Sequence, residues 1–297
     1  MPRNSGNEAQ NSKSTNQPQM PSPASNLPAM TEQTETASSL TSLPADVPSS
    51  VVEQAGESVL NPSDPKRSEI PILRGAEVAA VYHNLRVAGD FYEFLRVGPT
   101  RVLFGLLDLA GRREDTRPIL VAAQNSFRTR APELFAGEEL NEAEAIIELC
   151  HEVNRAILET AGEVRSCAAF MGCYNEDLGT VCYTNAGHTS GLLRDQTGVT
   201  ALEATGMPLG LFSHATHSAS TCALVPGAVL LVVSRGIVEA EFGGDEFGLE
   251  RVQETLQRAT CNTAQDLCLN ILETAQQFMQ VPPTHNDVTA LALLRKE

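Results

Sequence analysis

Strand-like and helix-like segments come in blocks along this chain, and the block order restricts the fold more than any other feature. Three apolar runs of strand length open the ordered part: EVAAVYHNL, GDFYEFLRVG and RVLFGLLDL, with Gly98-Pro99 marking a hairpin turn between the last two. Two helical segments follow. In RPILVAAQNSFRTRAPELF, Pro118 falls in the first turn, where a missing N–H costs nothing. NEAEAIIELCHEVNRAILETAG opens with Asn141 as N-cap and Glu144 three residues on, and Gly162 ends it. Its apolar positions Ala145, Ile146, Leu149, Val153, Ala156 and Ile157 recur at three- and four-residue spacing, which marks an amphipathic helix. Strands then dominate, in RSCAAFMGCYN, TVCYTNAG, SGLLRD, HSASTCALV and AVLLVVS. Two more helices, EFGLERVQETLQRAT and NTAQDLCLNILETAQQFMQ, precede a last strand, NDVTALALLRK. A parallel sheet needs a crossover after each strand. Strands clustered apart from helices therefore imply an α+β domain with mainly antiparallel sheets.

This pattern begins near residue 69. Residues 1–68 are rich in Ser, Pro, Thr, Asn and Gln with sparse apolar residues, and such a segment cannot bury enough surface to offset its ordering entropy. A disordered tail, read as a spacer, is expected there, with one domain over 69–297. The net charge of −16 opposes binding to phosphate backbones, so no nucleic-acid partner is expected. The seven cysteines are odd in number and form no Cys-x-x-Cys pair. They are read as free thiols in a reducing compartment. The start MPRNSGNEAQ has no apolar leader core, and no run of apolar residues is long enough for a membrane span. A cytoplasmic chain with no membrane partner is the expectation.

Polar residues at the tips of apolar strands are the candidates for chemistry. Asp90 lies at the start of GDFYEF, Asp108 near the end of RVLFGLLDL, and Asn286-Asp287 opens the last strand. Carboxylates gathered at strand ends hold hard divalent cations, although any one such Asp is more often a turn former. His188, in the turn NAGHTSG, suits an acid–base group or a phosphate contact, or simply a turn histidine bonded to backbone. The run VLLVVSRGIVEA delivers Ser234 and then Arg235 to a strand tip ahead of a helix-compatible segment.

Six segments, in order, resemble the motifs of the SpoIIE/RsbU-type branch of the PPM protein serine/threonine phosphatases. VAGDFYEF resembles GGDFYD, and LLDLAGR resembles GDVSGKG. YTNAGHTSGLLR resembles Y-NAGH-PPLL, and TGMPLGLF resembles the G-PLG segment. LVPGAVLLVVSRGIVEAEFGGDEFGLERV resembles L-PGD-LLLYTDGV-EA----EFG-ERL, and NDVTALALLRK resembles DDITLLVLR. The resemblance covers residues 70–297 and implies an α-β-β-α sandwich with two central, mainly antiparallel sheets. It also implies a Mn²⁺ or Mg²⁺ centre whose bridging water attacks a phosphoserine or phosphothreonine. By resemblance the metal ligands are Asp90, Asp108 and the backbone carbonyl of Leu109, with Glu93 and His188 as accessory residues.

Two expected ligands are replaced. Arg235 stands where the family has the Asp of TDG, and Asn286 where it has the first Asp of DDIT. Arginine stays protonated and cannot ligate a cation. A unit positive charge about 5 Å from a divalent cation is repelled by roughly 6–7 kcal/mol at an effective dielectric near 20. Asp287 remains, but strand alternation is expected to turn it to the other face. The expectation is a metal centre weakened or lost, and a pseudophosphatase in which Arg235 pairs with Asp90 or Asp108 or binds phosphate. The alternative is a working phosphatase with altered or single-metal coordination. The partner implied by the family is a phosphorylated regulator of the anti-sigma-factor-antagonist type. The signal would then come from another polypeptide.

Overall fold

The computed structural model describes residues 68–83, 89–137, 139–161, 166–260, 262–280 and 287–296. Residues 1–67 of the tail expected over residues 1–68, the helix stop at Gly162 and the substituted ligand position Asn286 lie outside the described residues.

In chain order the strands are β1 (Ala76–His83), β2 (Gly89–Val97), β3 (Arg101–Leu109), β4 (Cys167–Asn175), β5 (Thr180–Ala186), β6 (Gly191–Asp195), β7 (Gly198–Leu202), β8 (Ser220–Ala223), β9 (Val229–Val233), β10 (Glu241–Phe242), β11 (Asp245–Glu246) and β12 (Val288–Arg295). The helices are α1 (Arg113–Leu134), α2 (Glu142–Ala161), α3 (Arg235–Val238), α4 (Gly248–Arg258) and α5 (Ala264–Met279). Two five-stranded sheets form, ordered β1-β12-β9-β6-β7 and β2-β3-β4-β5-β8. Every described strand pair in them is antiparallel.

Alternation along the strands explains the layering. On β3, Leu103, Leu107 and Leu109 join Ile119, Phe127, Ile146 and Leu149 of α1 and α2 in one core. Phe104 and Leu106 face the other way, into a core between the sheets with Leu230, Val232, Leu291 and Leu293. On β12, Ala290, Ala292 and Leu294 pack with Leu256, Leu267 and Ile271 of α4 and α5. The result is helices, sheet, sheet, helices. Strands covered on both faces must be apolar at successive positions, which is why RVLFGLLDL reads as a run and not as an alternation. Gly172 pairs with Phe104 across β3 and β4. A Cβ on Gly172 would stand 2.4 Å from that ring, so only glycine fits beneath it.

Asn141 caps α2 as its position predicts, its Oδ1 accepting from the N–H of Ala143 at 3.1 Å and of Glu144 at 3.3 Å. α1 differs from expectation. It starts at Arg113, so Pro118 sits inside the helix and not in its first turn. The early start is favoured by Glu114 and Asp115 at the positive end of the helix dipole. Strand β7 and the β10–β11 hairpin are additional to the strands expected, and the two-residue strands β10 and β11 are too short to leave a sequence period. Among the described residues no helix is long and apolar enough to cross a membrane. The six described cysteines are free thiols.

Candidate functional site

The β2–β3 hairpin sets Asp90 directly opposite Asp108. Opposed residues of an antiparallel pair share a face, so both carboxylates stand on the side of the sheet that meets the other sheet. The end of β9 and the start of β12 arrive from that other sheet. There Ser234 and Thr289 lock together, with Ser234 N–H donating to Thr289 O at 2.9 Å and Thr289 N–H to Ser234 Oγ at 3.0 Å. Two sheet ends thus converge on two aspartates.

Arg235 is the next residue after Ser234 and the first of α3. Its backbone N–H donates to Asp108 Oδ2 at 3.2 Å and its Nη2 donates to Oδ1 at 3.0 Å. One residue therefore engages both oxygens of a buried carboxylate. The guanidinium is 45% exposed and its Nε lies 3.9 Å from Glu239 Oε1 on the same short helix. Part of its fork faces the surroundings.

Asp90 accepts a 2.7 Å hydrogen bond from the Thr289 hydroxyl. Burial, and then the charge of Asp108, push its carboxyl up to about 8, against the lowering effect of hydrogen bonds from Ser234 and Thr289. Asp287 adds a smaller push in the same direction. The expectation that alternation turns Asp287 away is therefore corrected: it precedes the first residue of β12, is buried, and accepts from the Tyr82 hydroxyl at 2.9 Å.

His188 is buried beside this group. Its backbone N–H donates to Asn185 Oδ1 at 2.8 Å and its Nδ1 lies 3.0 Å from the Thr189 hydroxyl, which itself bonds Val233 O. Its Nε2 is buried with no hydrogen-bond partner. Burial chiefly lowers its pKa; Asp108 opposes that and Arg235 adds to it. The turn-histidine reading describes one edge of the ring, and the other edge carries the buried Nε2.

Leu109, the last residue of β3, buries its side chain against the helices, and its carbonyl lies against Gly89, where a Cβ would approach to 2.8 Å. Glu93 is placed elsewhere. Three residues from Asp90 on a strand means the opposite face. There its carboxylate takes Arg128 through Nε at 2.8 Å and Nη2 at 3.0 Å, Gln124 Nε2 at 2.7 Å and the Ser68 hydroxyl at 2.7 Å. It ties β2 to α1 and does not stand beside Asp90 as an accessory residue would. The roles of Ser234 and Thr289 went unread. The only sequence signal for them is a hydroxyl residue at each strand tip.

Asp108 is engaged by a guanidinium, Asp90 by a hydroxyl, and among the described residues no group of three or more His, Cys, Asp or Glu side chains is arranged to hold a metal ion.

Two antiparallel sheets between helix layers, with aspartates at one edge, define the PPM phosphatase class of fold. Solved structures share it. The RsbU and RsbW domains of Rv1364c from Mycobacterium tuberculosis match with a TM-score of 0.64 at 21% identity, over 80% of this chain and 64% of that one. The SiaA-PP2C domain of Pseudomonas aeruginosa matches with a TM-score of 0.63 at 16% identity, over 74% and 86%. RsbX in complex with magnesium matches with a TM-score of 0.56 at 11% identity, over 76% and 98%. Protein IcfG of Synechocystis sp. (strain ATCC 27184 / PCC 6803 / Kazusa) is 23% identical over 208 residues, which is 63% of this chain but only 33% of that protein. The family profile described as stage II sporulation protein E (SpoIIE) matches residues 100–296. The chain belongs to the SpoIIE family.

Proposed function

We propose that this chain is a SpoIIE-family phosphatase domain whose metal centre is impaired, and that it binds a phosphorylated serine or threonine regulator without turning it over. The observation that carries this reading is the Arg235–Asp108 pair, with nitrogen and oxygen 3.0 Å apart. A guanidinium so close to a ligand carboxylate supplies the positive charge that a cation supplies in a working centre. It also repels any cation that tries to enter. The exposed part of its fork suits a phosphate oxygen, and His188, whose Nε2 is buried without a partner, lies within electrostatic reach of Asp108 and Arg235.

Several family relatives bear names from regulatory systems, the RsbU and RsbW domains and a bacterial stressosome protein among them. By that analogy the partner is a phosphorylated regulator of the anti-sigma-factor-antagonist type, met in the cytoplasm. A second reading, a phosphatase with one cation or rearranged ligands, is favoured by the retention of Asp90 and Asp108 and by the nearby buried Asp287.

The test is hydrolysis of p-nitrophenyl phosphate and of a phosphoserine peptide with and without Mn²⁺, for the wild type beside Arg235→Asp/Asn286→Asp. Calorimetry of Mn²⁺ binding accompanies it. The expected result is a silent wild type with no tight two-metal isotherm, and metal affinity gained by the double variant. Metal-dependent turnover by the wild type establishes the second reading.

A further inference from the structure

Arg235 stands just past the end of β9, and that end overruns the ladder that supports it. The register between β6 and β9 stops at Leu192 and Leu231. Continued, it would set Val233 opposite Ser190, but β6 begins at Gly191. Val233 is buried, so its carbonyl needs a partner within the protein. The Thr189 hydroxyl is that partner. A side chain here does what the next backbone rung would have done.

The turn that carries Thr189 is braced. Asn185 Oδ1 accepts from His188 N–H at 2.8 Å, and Asn185 Nδ2 donates to Leu202 O at 3.3 Å and to Thr189 O at 3.4 Å. Gly187 takes φ +67°, and a Cβ on it would stand 2.4 Å from Pro208 Cγ, so a side chain is excluded there on both counts. Hydrogen counting then orients the hydroxyl. A carbonyl has no hydrogen to give, so the one between Thr189 Oγ and Val233 O is the hydroxyl's own. Thr189 Oγ is left as an acceptor, and so is Thr189 O. Both lie on His188 Nδ1, at 3.0 Å and 3.2 Å. Nδ1 therefore carries the ring hydrogen, and the donors run one way, from His188 Nδ1 to Thr189 Oγ to Val233 O.

Ser234 and Arg235 follow Val233 directly. β12 grips this tip from one side through the Ser234–Thr289 bonds, and Thr189 grips it from the other. Between them the backbone N–H of Arg235 meets Asp108 Oδ2 and its Nη2 meets Oδ1. We infer that Thr189, oriented by His188, is a positioning residue for Arg235: its hydroxyl fixes the β9 tip so that both nitrogens reach Asp108. The consequence for a ligand rests on the phosphate-binding role proposed for Arg235. A guanidinium held at two points presents the rest of its fork in one orientation, so less ordering is left for binding to impose.

The experiment compares the full chain with Thr189→Val, which keeps the shape and loses the donor, and with Thr189→Ser, which keeps the donor. Amide hydrogen exchange at Arg235 is read against Leu230 and Leu231 of the same β9. The expected result is exchange at Arg235 faster by about tenfold in the valine variant, the scale of one lost hydrogen bond, with Leu230 and Leu231 changed less and serine restoring the wild-type rate. Affinity for a phosphoserine peptide, measured by calorimetry, should fall by about tenfold in the valine variant and return in the serine variant. Equal acceleration at all three amides means a merely structural residue and overturns the inference. So does an unchanged Arg235 amide, or a serine variant that behaves like the valine one. A wild type that binds no peptide removes the phosphate-binding role alone, and the exchange comparison still decides whether Thr189 positions Arg235.

Discussion

Arg235 joins two sheet ends through one side chain, so its substitution has a stability signature as well as a chemical one. Its side is half exposed while Asp108 is buried, which holds the worth of the pair to about 1 kcal/mol. Arg235→Ala should therefore lower stability only slightly, by about 1–2 kcal/mol once the unpaired burial of Asp108 is included. Arg235→Asp is a different case. It sets a third carboxylate beside Asp90 and Asp108, and like charges at short range repel. That variant should melt below the alanine variant in a chelator and recover, or surpass it, when Mn²⁺ is added. The wild-type midpoint should not move with Mn²⁺. Thermal denaturation of the three proteins with and without Mn²⁺ checks this, and an equal Mn²⁺ response in all three contradicts it. At this scale the aspartates and Arg235 were legible, because strand-tip motifs are quoted almost letter for letter. Glu93 was not: the resemblance grouped it with the metal site, whereas alternation puts it across the strand from Asp90, against α1. A motif specifies the residue type and not the side of the strand it faces.

The element most in need of an anchor is α1, which holds two prolines and has no side-chain cap at its start. Glu93 supplies one from the sheet below. Its carboxylate is 2% exposed and holds Arg128 and Gln124, both of α1. Removing one partner of a buried ion pair leaves an uncompensated charge and typically costs 3–5 kcal/mol. Arg128 is 30% exposed and can rehydrate, so Glu93→Ala should cost about 2–3 kcal/mol in urea denaturation. The same variant should leave any Mn²⁺ affinity of Arg235→Asp/Asn286→Asp unchanged, whereas an accessory ligand at 93 would make it fall. The helices themselves were readable from their apolar period, but the start of α1 was not. Pro118 suggested a first turn, while the acidic pair before it extends the helix by four residues.

Across the whole molecule, block order was enough to imply two antiparallel sheets, yet the order of strands within them was not legible. β12 inserts between β1 and β9, and its register joins Ala76 to Arg295, a long-range pairing that local patterns do not encode. The sandwich is closed at the far end of β2 by a different charged node. There the side chain of Glu176 has no exposed surface. It takes Arg96 through two 2.9 Å bonds and the backbone N–H of Arg74, ahead of β1, at 2.8 Å. These bonds, from Arg96 first, hold its carboxyl down at about 2, against an ordinary 4.5. A folded-state pKa below the unfolded one means that the unfolded chain binds the proton first. The stabilisation is therefore complete above pH 4.5 and drains away as pH falls toward 2. The shift corresponds to about 3 kcal/mol at neutral pH. Glu176→Gln should be less stable than the wild type at pH 7 by about 2–3 kcal/mol, and the gap should close on acidification. Urea denaturation of both proteins at pH 7, 4 and 3 measures it. A gap that stays constant across that range would mean that the node acts through packing and neutral hydrogen bonds, not through the charge that ties the two sheets together.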